Sequence, residues 1–555
     1  MSSLAVTASG SLSRTRRTPL ATWAEDELRT ERYGGDDPRD PPPKDSGDTR
    51  LPQKEENFDY NKVTWDGPDD PENPQNWSHP RKWTITAICL LMTINVTFAS
   101  SAPSPASTVI AAHFHKPEEC GYLVTAMFLF GYVFGPFVWG PGSELLGRWR
   151  MFVVALSAYT ILHLGQALAQ NIETLLVTRF LGGFFAVNPL TNCGGVIVDI
   201  WDPVNRGIAT SMFIAGVFLG PVLGPIAGGF LTTSYLGWRW IFWIMMIFAG
   251  SCTLVALIFL PETYAPVLLQ RKARRLRKAD PIANKDKYAE HERADWSIKG
   301  LLHRTLYRPI LMLIMEPILL LITIYISMVY GVLYSLFEAL PVIFVGKHGF
   351  TIGQSGLTLI GVGIGTTLGA IAFWRQCSHY PELLDKWRGF PPPEERLWGA
   401  MNAGLVLVIG GFWLGWTGNY HSVPWIVPAL ATIPVGYGVS LVFISFVSYI
   451  VDTYLMYAAS ALAANTLVRS AVAGGFQLFT VQMYKNLGIN WACTLIALIL
   501  LLLAPSPFLF YRYGRLIRKK SRFSPSPDLR IAELLEAEAA EVATQASSDE
   551  PEKKV

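Results

Sequence analysis

The stretch "LGPVLGPIAGGF", Leu219–Phe230, lies inside a charge-free run from Ile208 to Leu231 and sets glycines and prolines into an otherwise apolar helical pattern. Proline costs about 3 kcal/mol in a helix interior and glycine about 1, so such a helix needs neighbours that support it. A run of about twenty apolar residues is long enough to cross a ~30 Å hydrocarbon layer. Outward from this one lie eleven more, at Trp83–Ala112, Tyr122–Trp139, Trp149–Ala169, Leu175–Ile200, Ile241–Leu260, Met312–Phe344, Leu357–Trp374, Leu397–Trp416, Val423–Val451, Ala458–Thr480 and Trp491–Tyr511. A backbone in lipid satisfies its hydrogen bonds within the segment, so each run is read as a helix. The pattern predicts an all-α polytopic membrane protein with 12 transmembrane helices.

Composition agrees. The 555 residues are 50% hydrophobic and 16% charged, where a soluble chain carries about 25% charged residues. A lipid bilayer is the expected surrounding, and no nucleic acid partner is expected. The six cysteines show no metal or redox spacing and are read as small packing residues. The net charge of +3 matters less than its placement: "RKARRLRK" (Arg271–Lys278) follows the sixth run and "RYGRLIRKKSR" (Arg512–Arg522) the twelfth. Excess Lys and Arg mark the cytoplasmic side, which places both termini in the cytoplasm; the membrane crossed is expected to be the plasma membrane.

Five regions follow: a polar tail over 1–76, expected to be disordered and cytoplasmic; a six-helix bundle over 77–264; a cytoplasmic central loop over 265–309; a second six-helix bundle over 310–511; and a cytoplasmic tail over 512–555. Weak echoes link the bundles. Gly131, Gly135 and Gly140 in the second run match the rhythm of Gly361, Gly365 and Gly369 in the eighth, and Asp199 and Asp452 end the fourth and tenth. Two six-helix pseudo-repeats are the architecture of transporters that bind substrate between the halves and alternate access.

"GPGSELLGRWR", Gly140–Arg150, joins the second and third runs. Glu144, Gly147, Arg148 and Arg150 form a charged turn that either anchors the helices or latches one face by pairing with Asp199. Arg179 stands in the outer part of the fourth run. An ionisable group there is a functional candidate by default, unless it snorkels to the interface. In the fifth run Gly216, Gly220, Gly224 and Gly228 recur every four residues, with Pro221, Pro225 and Gly229 alongside. Such a stripe lets helix backbones touch.

These motifs resemble those of the major facilitator superfamily. Gly140–Arg150 is similar to its loop motif, Glu144 taking the acidic position and Gly147-Arg148 the Gly-Arg pair. Arg179 matches the arginine that the superfamily is thought to use in proton coupling. The glycine–proline stripe resembles the antiporter motif of drug–proton antiporters. "DPENPQNW" (Asp70–Trp77), "LPETYAPVLLQRKARRLRK" (Leu260–Lys278), "GWRWIFW" (Gly237–Trp243) and "PEERL" (Pro393–Leu397) look like the fungal twelve-span members, which export azoles, polyamines and toxins such as cercosporin. The resemblance implies the major facilitator fold and export of small amphipathic molecules in exchange for protons by a monomer.

Proton-coupling candidates are Arg179, Glu338 and Arg469. The first run offers no acid, only Asn95, Ser100 and Ser101. Glu316 and Glu338 are 22 residues apart, or ~33 Å along a helix, so both cannot be central: Glu316 is placed near the inner boundary and Glu338 near the outer one, as a structural or interfacial residue unless its helix breaks before Pro341 and turns it into the cavity. Substrate-cavity candidates are Asn188, Asn192, Tyr330, Tyr334, Phe337 and Gln477, aromatics and amides suited to amphipathic rings. No cofactor is expected: no phosphate loop, ATP-binding motif or metal cluster appears, which points to an ion gradient as the energy source, and the resemblance implies that the ion is the proton. An uptake permease on the same fold would instead accumulate its substrate, and a non-transporting sensor would carry a large folded tail domain.

Overall fold

The computed structural model describes residues 61–548 except 68, 202–205, 294–296, 298–299, 301–302 and 388. Most of the expected N-terminal tail therefore lies outside the described residues. The chain divides into a large unit, Asp48–Tyr380 with Pro393–Ser526, and a small one, Met1–Gly47, Pro381–Pro392 and Pro527–Val555. In the small unit the principal described element is the helix Pro527–Ser548.

Among the described residues nine helical segments are long and apolar enough to cross a membrane, ten if the bent pair Glu118–Phe134 and Pro136–Leu146 is one span. One of the nine, Ile426–Leu487, contains two long helices broken at Leu455–Tyr457, where Leu455 takes a positive φ of 40°. Arg148–Ala167 is of spanning length but carries Arg148, Arg150, His163 and Gln166. Counting both gives the twelve expected spans. They are α1 His79–Ser101, α2 (the bent pair), α3 Arg148–Ala167, α4 Ile172–Ile200, α5 Arg206–Thr233, α6 Arg239–Phe259, α7 Pro317–His348, α8 Leu359–Cys377, α9 Trp398–Gly418, α10 Ile426–Tyr454, α11 Ala458–Leu487 and α12 Ile489–Leu503.

The two sets of six repeat one packing scheme. Small residues bring α2 against α4: a Cβ at Gly131 would lie 2.3 Å from the Phe180 carbonyl oxygen. The same device brings α8 against α10, where a Cβ at Gly365 would lie 2.1 Å from the Ile433 carbonyl oxygen. The stripe of α5 packs on α1. A Cβ at Gly220 would strike Thr97 Oγ1 at 1.9 Å, and one at Gly228 the Ala102 carbonyl oxygen at 2.0 Å. Gly216 faces Leu90 and Gly224 faces Ser101. The helix runs uninterrupted through Pro221 and Pro225. Pro225 has no N–H to give the Pro221 carbonyl, and Ser101 Oγ donates to that carbonyl instead, at 3.2 Å.

Between the halves, α5 meets the α8 approach and α2 meets α11. Gly229 faces the backbone of Ile352 and Gly353, Gly356 faces Pro225, and Gly474 takes the ring of Phe130. Lys485 pairs with Glu118 at 3.1 Å beyond them. Alternate crossing puts these last contacts at the end opposite Gly147, Asp199, Glu262 and Asp452, called here the basic end for the Arg and Lys that follow α6 and α12.

At the basic end the stretch from Asn61, counted with the tail in the sequence reading, packs on the central loop. Val63 donates to the Tyr288 carbonyl and Tyr288 to that of Asn61, both at 2.9 Å. Val63 is buried with Ala273 and Ala289. Lys272 bonds Asp66 at 2.7 Å and Asp70 at 3.2 Å, and Arg277 bonds Glu292 at 2.8 Å. The basic run of the loop is thus largely neutralised by the chain's own acids.

Candidate functional site

The last turns of α1 hold the two halves together. Its sequence here, Ala99-Ser100-Ser101 followed by Pro103 and Pro105, keeps side chains small and ends the α-helix in a 3₁₀ turn at Ser104–Ala106. Ser100 Oγ shares a hydrogen bond with Tyr334 Oη of α7 at 2.7 Å. Ser104 Oγ donates to Glu338 Oε1 of α7 at 2.9 Å. Arg179 of α4 donates to the carbonyl oxygens of Ala99 and Val124 at 3.0 and 2.9 Å, and its guanidinium lies 4.2 Å from the Phe128 ring centroid. It is fully buried and does not snorkel.

Spacings of four and three put Tyr330, Tyr334 and Phe337 on one face of α7. Their ring centroids lie 5.0 and 5.2 Å apart in sequence. Gln477 of α11 donates to the Tyr334 carbonyl at 2.6 Å. Arg469, one helical stretch earlier on α11, sets its guanidinium 4.8 Å from the Tyr330 ring and 5.0 Å from that of Phe443 on α10. Phe443 meets Phe218 of α5 edge-on at 5.3 Å, across the seam. The structure therefore brings Arg469, Tyr330, Tyr334, Phe337, Gln477 and Glu338 to one place, with Arg179 tied in through α1.

One condition is not met here and one expectation is corrected. The α7 helix does not break before Pro341 but continues to His348, and Glu338 is buried without a kink, against Ser104 in the turn after α1. Asn188 and Asn192 do not join the cluster. Asn188 donates to the Met151 carbonyl at 2.8 Å, Asn192 donates to Asn188 and to the Trp139 carbonyl, and Asn192 Oδ1 accepts from Ser143 and Arg148. Both amides stitch α4 to α2 and α3 within one half, because each buried amide there found a backbone carbonyl.

Arg148 lies 3.3 Å from Asp199, the pairing the sequence suggested. Both belong to the N-terminal half, so the pair stiffens one bundle and does not by itself join two. Gly147 has φ 95°, and a Cβ there would strike the Glu262 carboxylate. Arg148 N donates to the same carboxylate at 2.8 Å. Glu144 accepts at its carbonyl from His291 Nε2, which is 2.8 Å away. Arg150 is exposed, and Gly140 has open space beside it apart from Thr191 at 3.8 Å.

Sequence reasoning gives no role to Ser104 or Phe443, and reads Ser100 and Ser101 as the little α1 has to offer. The run "SSAPSPAS" (Ser100–Ser107), small hydroxyls among prolines at the end of a spanning helix, was the available signal.

The profile of the Major Facilitator Superfamily matches residues 89–477. The chain belongs to the major facilitator superfamily. It is 42% identical over 469 residues to the citrinin biosynthesis cluster transporter mrr1 of Monascus ruber, covering 83% of this chain and 92% of that one. It is 41% identical to the efflux pump MFS2 of Trichophyton rubrum (85% and 79% covered) and 40% identical to the multidrug transporter mdrA of Aspergillus fumigatus (88% and 79% covered). The proton:xylose symporter XylE superposes with a TM-score of 0.56 at 16% identity, covering 79% of this chain and 96% of that one. Superfamily membership makes the protein a multi-pass membrane transporter of a small molecule, not an enzyme, with the two six-helix bundles of that fold.

Proposed function

We propose that the protein exports small amphipathic compounds from a fungal cell across the plasma membrane in exchange for protons, its basic end and both termini in the cytoplasm. The observation that carries this reading is the contact of Glu338 with Ser104. A buried carboxyl, able to take up and release a proton, is bonded across the seam beside a cluster of Tyr330, Tyr334, Phe337, Phe443 and Arg469. Intramembrane ionisable groups are costly and mark ion and substrate paths, and an apolar aromatic lining with few polar tips suits an amphipathic solute.

The seam contacts lie from the middle of the membrane to the end away from the basic one, and the cluster itself is buried, so the state they hold would be an occluded one, fastened at the outer end. Rocking would break Glu118–Lys485 and the α5–α8 contact and present the cluster outward. Relatives named as an efflux pump and a multidrug transporter support the direction of transport, as does the tight glycine stripe of α5.

The test is expression in a pump-deficient yeast. Cells should retain less of a panel of azoles and fungal toxins than the empty-vector strain, and a protonophore should remove the difference. Raised retention would instead make the protein an uptake permease.

A further inference from the structure

We infer that the seam cluster is built to hold an anionic group carried on an aromatic molecule, with Arg469 as the recognising cation. This rests on reading the seam as the substrate site. Arg469 is 9% exposed. Its hydrogen bond, Nη2 to Thr466 Oγ1, is long at 3.4 Å, and its Nε has no partner among the described residues. The groups packed against it are the rings of Tyr330 and Phe443.

Arg179 is wholly buried and also leaves one nitrogen, Nη2, without a partner among the described residues. Neither guanidinium has a carboxylate within salt-bridge distance among the described residues, and Glu338 is taken by Ser104. A buried charge is paired or else very costly. Here the missing partner is an anion, and the guanidinium offers it a forked donor face between two rings. A ligand ring fits against Tyr330 and Phe443 while its carboxylate or phenolate reaches Arg469. Gln477, whose Oε1 also lacks a partner among the described residues, can accept from a hydroxyl beside it.

The test compares two probes of one shape, 2-naphthoate and 2-naphthamide, on the purified full-length protein in detergent, read by tryptophan quenching and by thermal shift. The acid should bind about tenfold more tightly, the usual margin for a hydrogen bond to a charged group. Arg469→Gln should erase that margin and Arg469→Lys restore part of it. Equal affinities on the unaltered protein would overturn the inference without reference to any variant, and so would an Arg469→Gln protein that keeps the preference. Absence of export in yeast with the acid preference intact would count against the export reading alone. Export without the preference would count against this inference alone.

Discussion

Arg396 Nε lies 2.8 Å from Asp452 Oδ2, the relationship that Arg148 holds to Asp199 in the other half. In each case an arginine at or just before the start of an odd-numbered span is clamped to the acid near the end of the next. Tyr380 adds a hydrogen bond to Asp452 at 2.8 Å. With side chains of Arg396 and Asp452 only 18% and 24% exposed, removing one partner leaves a largely desolvated charge. Asp452→Asn should lower stability by roughly 2–4 kcal/mol, and Arg396→Met with Asp452→Leu should recover most of it. Thermal unfolding of the single and double variants in detergent checks this. An additive pair of losses would show that the two side chains are not coupled.

The α5 stripe makes a steric prediction. A methyl at Gly228 would overlap the Ala102 backbone carbonyl, which cannot rotate away, whereas at Gly250 the nearest atom is Thr160 Cγ2 at 3.6 Å. Gly228→Ala should therefore cost about 1–3 kcal/mol by forcing α1 from α5 and, since α1 carries Ser100 and leads into the turn that carries Ser104, should impair transport as well. Gly250→Ala should behave as the unaltered protein. Surface expression and transport measured side by side would show whether the close approach matters as described.

How far the sequence could be read depended on how local each signal was. Apolar runs are a property of consecutive residues, so all twelve spans were legible, although α3, with two arginines in its first turn, stood out less than its neighbours. The glycine period of α5 named its own partner type, a helix pressed close. The tyrosines of α7 declared their shared face by spacing. The partner of Glu338, by contrast, lies 234 residues away, and nothing in the order of residues near Pro341 distinguishes a helix that breaks from one that continues. Asn188 and Asn192 misled for the same reason: a buried amide looks alike whether it faces a cavity or a backbone carbonyl on the next helix. The packing of Val63 against the central loop was hidden by a polar, proline-rich surrounding that reads as disorder.

That packing carries a pH dependence. Hydrogen bonds from the backbone of Asp66 and Glu72, with Lys272 nearby, hold the Asp70 carboxyl below the ordinary carboxylate range. The hydrogen bond from Arg277 does the same for Glu292. Burial works against the charge of Lys272, but its bonds to Asp66 and Asp70 outweigh it and hold the ammonium above its ordinary value. A depressed carboxylate stabilises above its unfolded pKa, about 4, and that stabilisation is lost as pH falls through the lower folded value. A raised lysine stabilises below its unfolded pKa, about 10.4, and loses this as pH rises through the higher folded value. Protection of the Val63 and Tyr288 amides from hydrogen exchange, corrected for intrinsic rates, should be flat from about pH 5 to 9 and fall at lower pH. Lys272→Met should lower it throughout that window.

Glu338 gives the sharpest prediction about coupling. Glutamine keeps the carbonyl oxygen that accepts from Ser104 and the size of the side chain, so Glu338→Gln should fold and reach the membrane, but it has no proton to take up or release between pH 5 and 8. In inside-out vesicles acidified within, the unaltered protein should concentrate a labelled substrate, and Glu338→Gln should not. The variant should still exchange labelled for unlabelled substrate across a vesicle with no gradient, because that needs rocking but no net proton movement. Ser104→Ala, which removes the donor and leaves the carboxyl, should keep gradient-driven accumulation with an altered pH profile. Should Glu338→Gln concentrate substrate as the unaltered protein does, the proton is carried elsewhere and the Ser104 contact is only a fastening between α1 and α7.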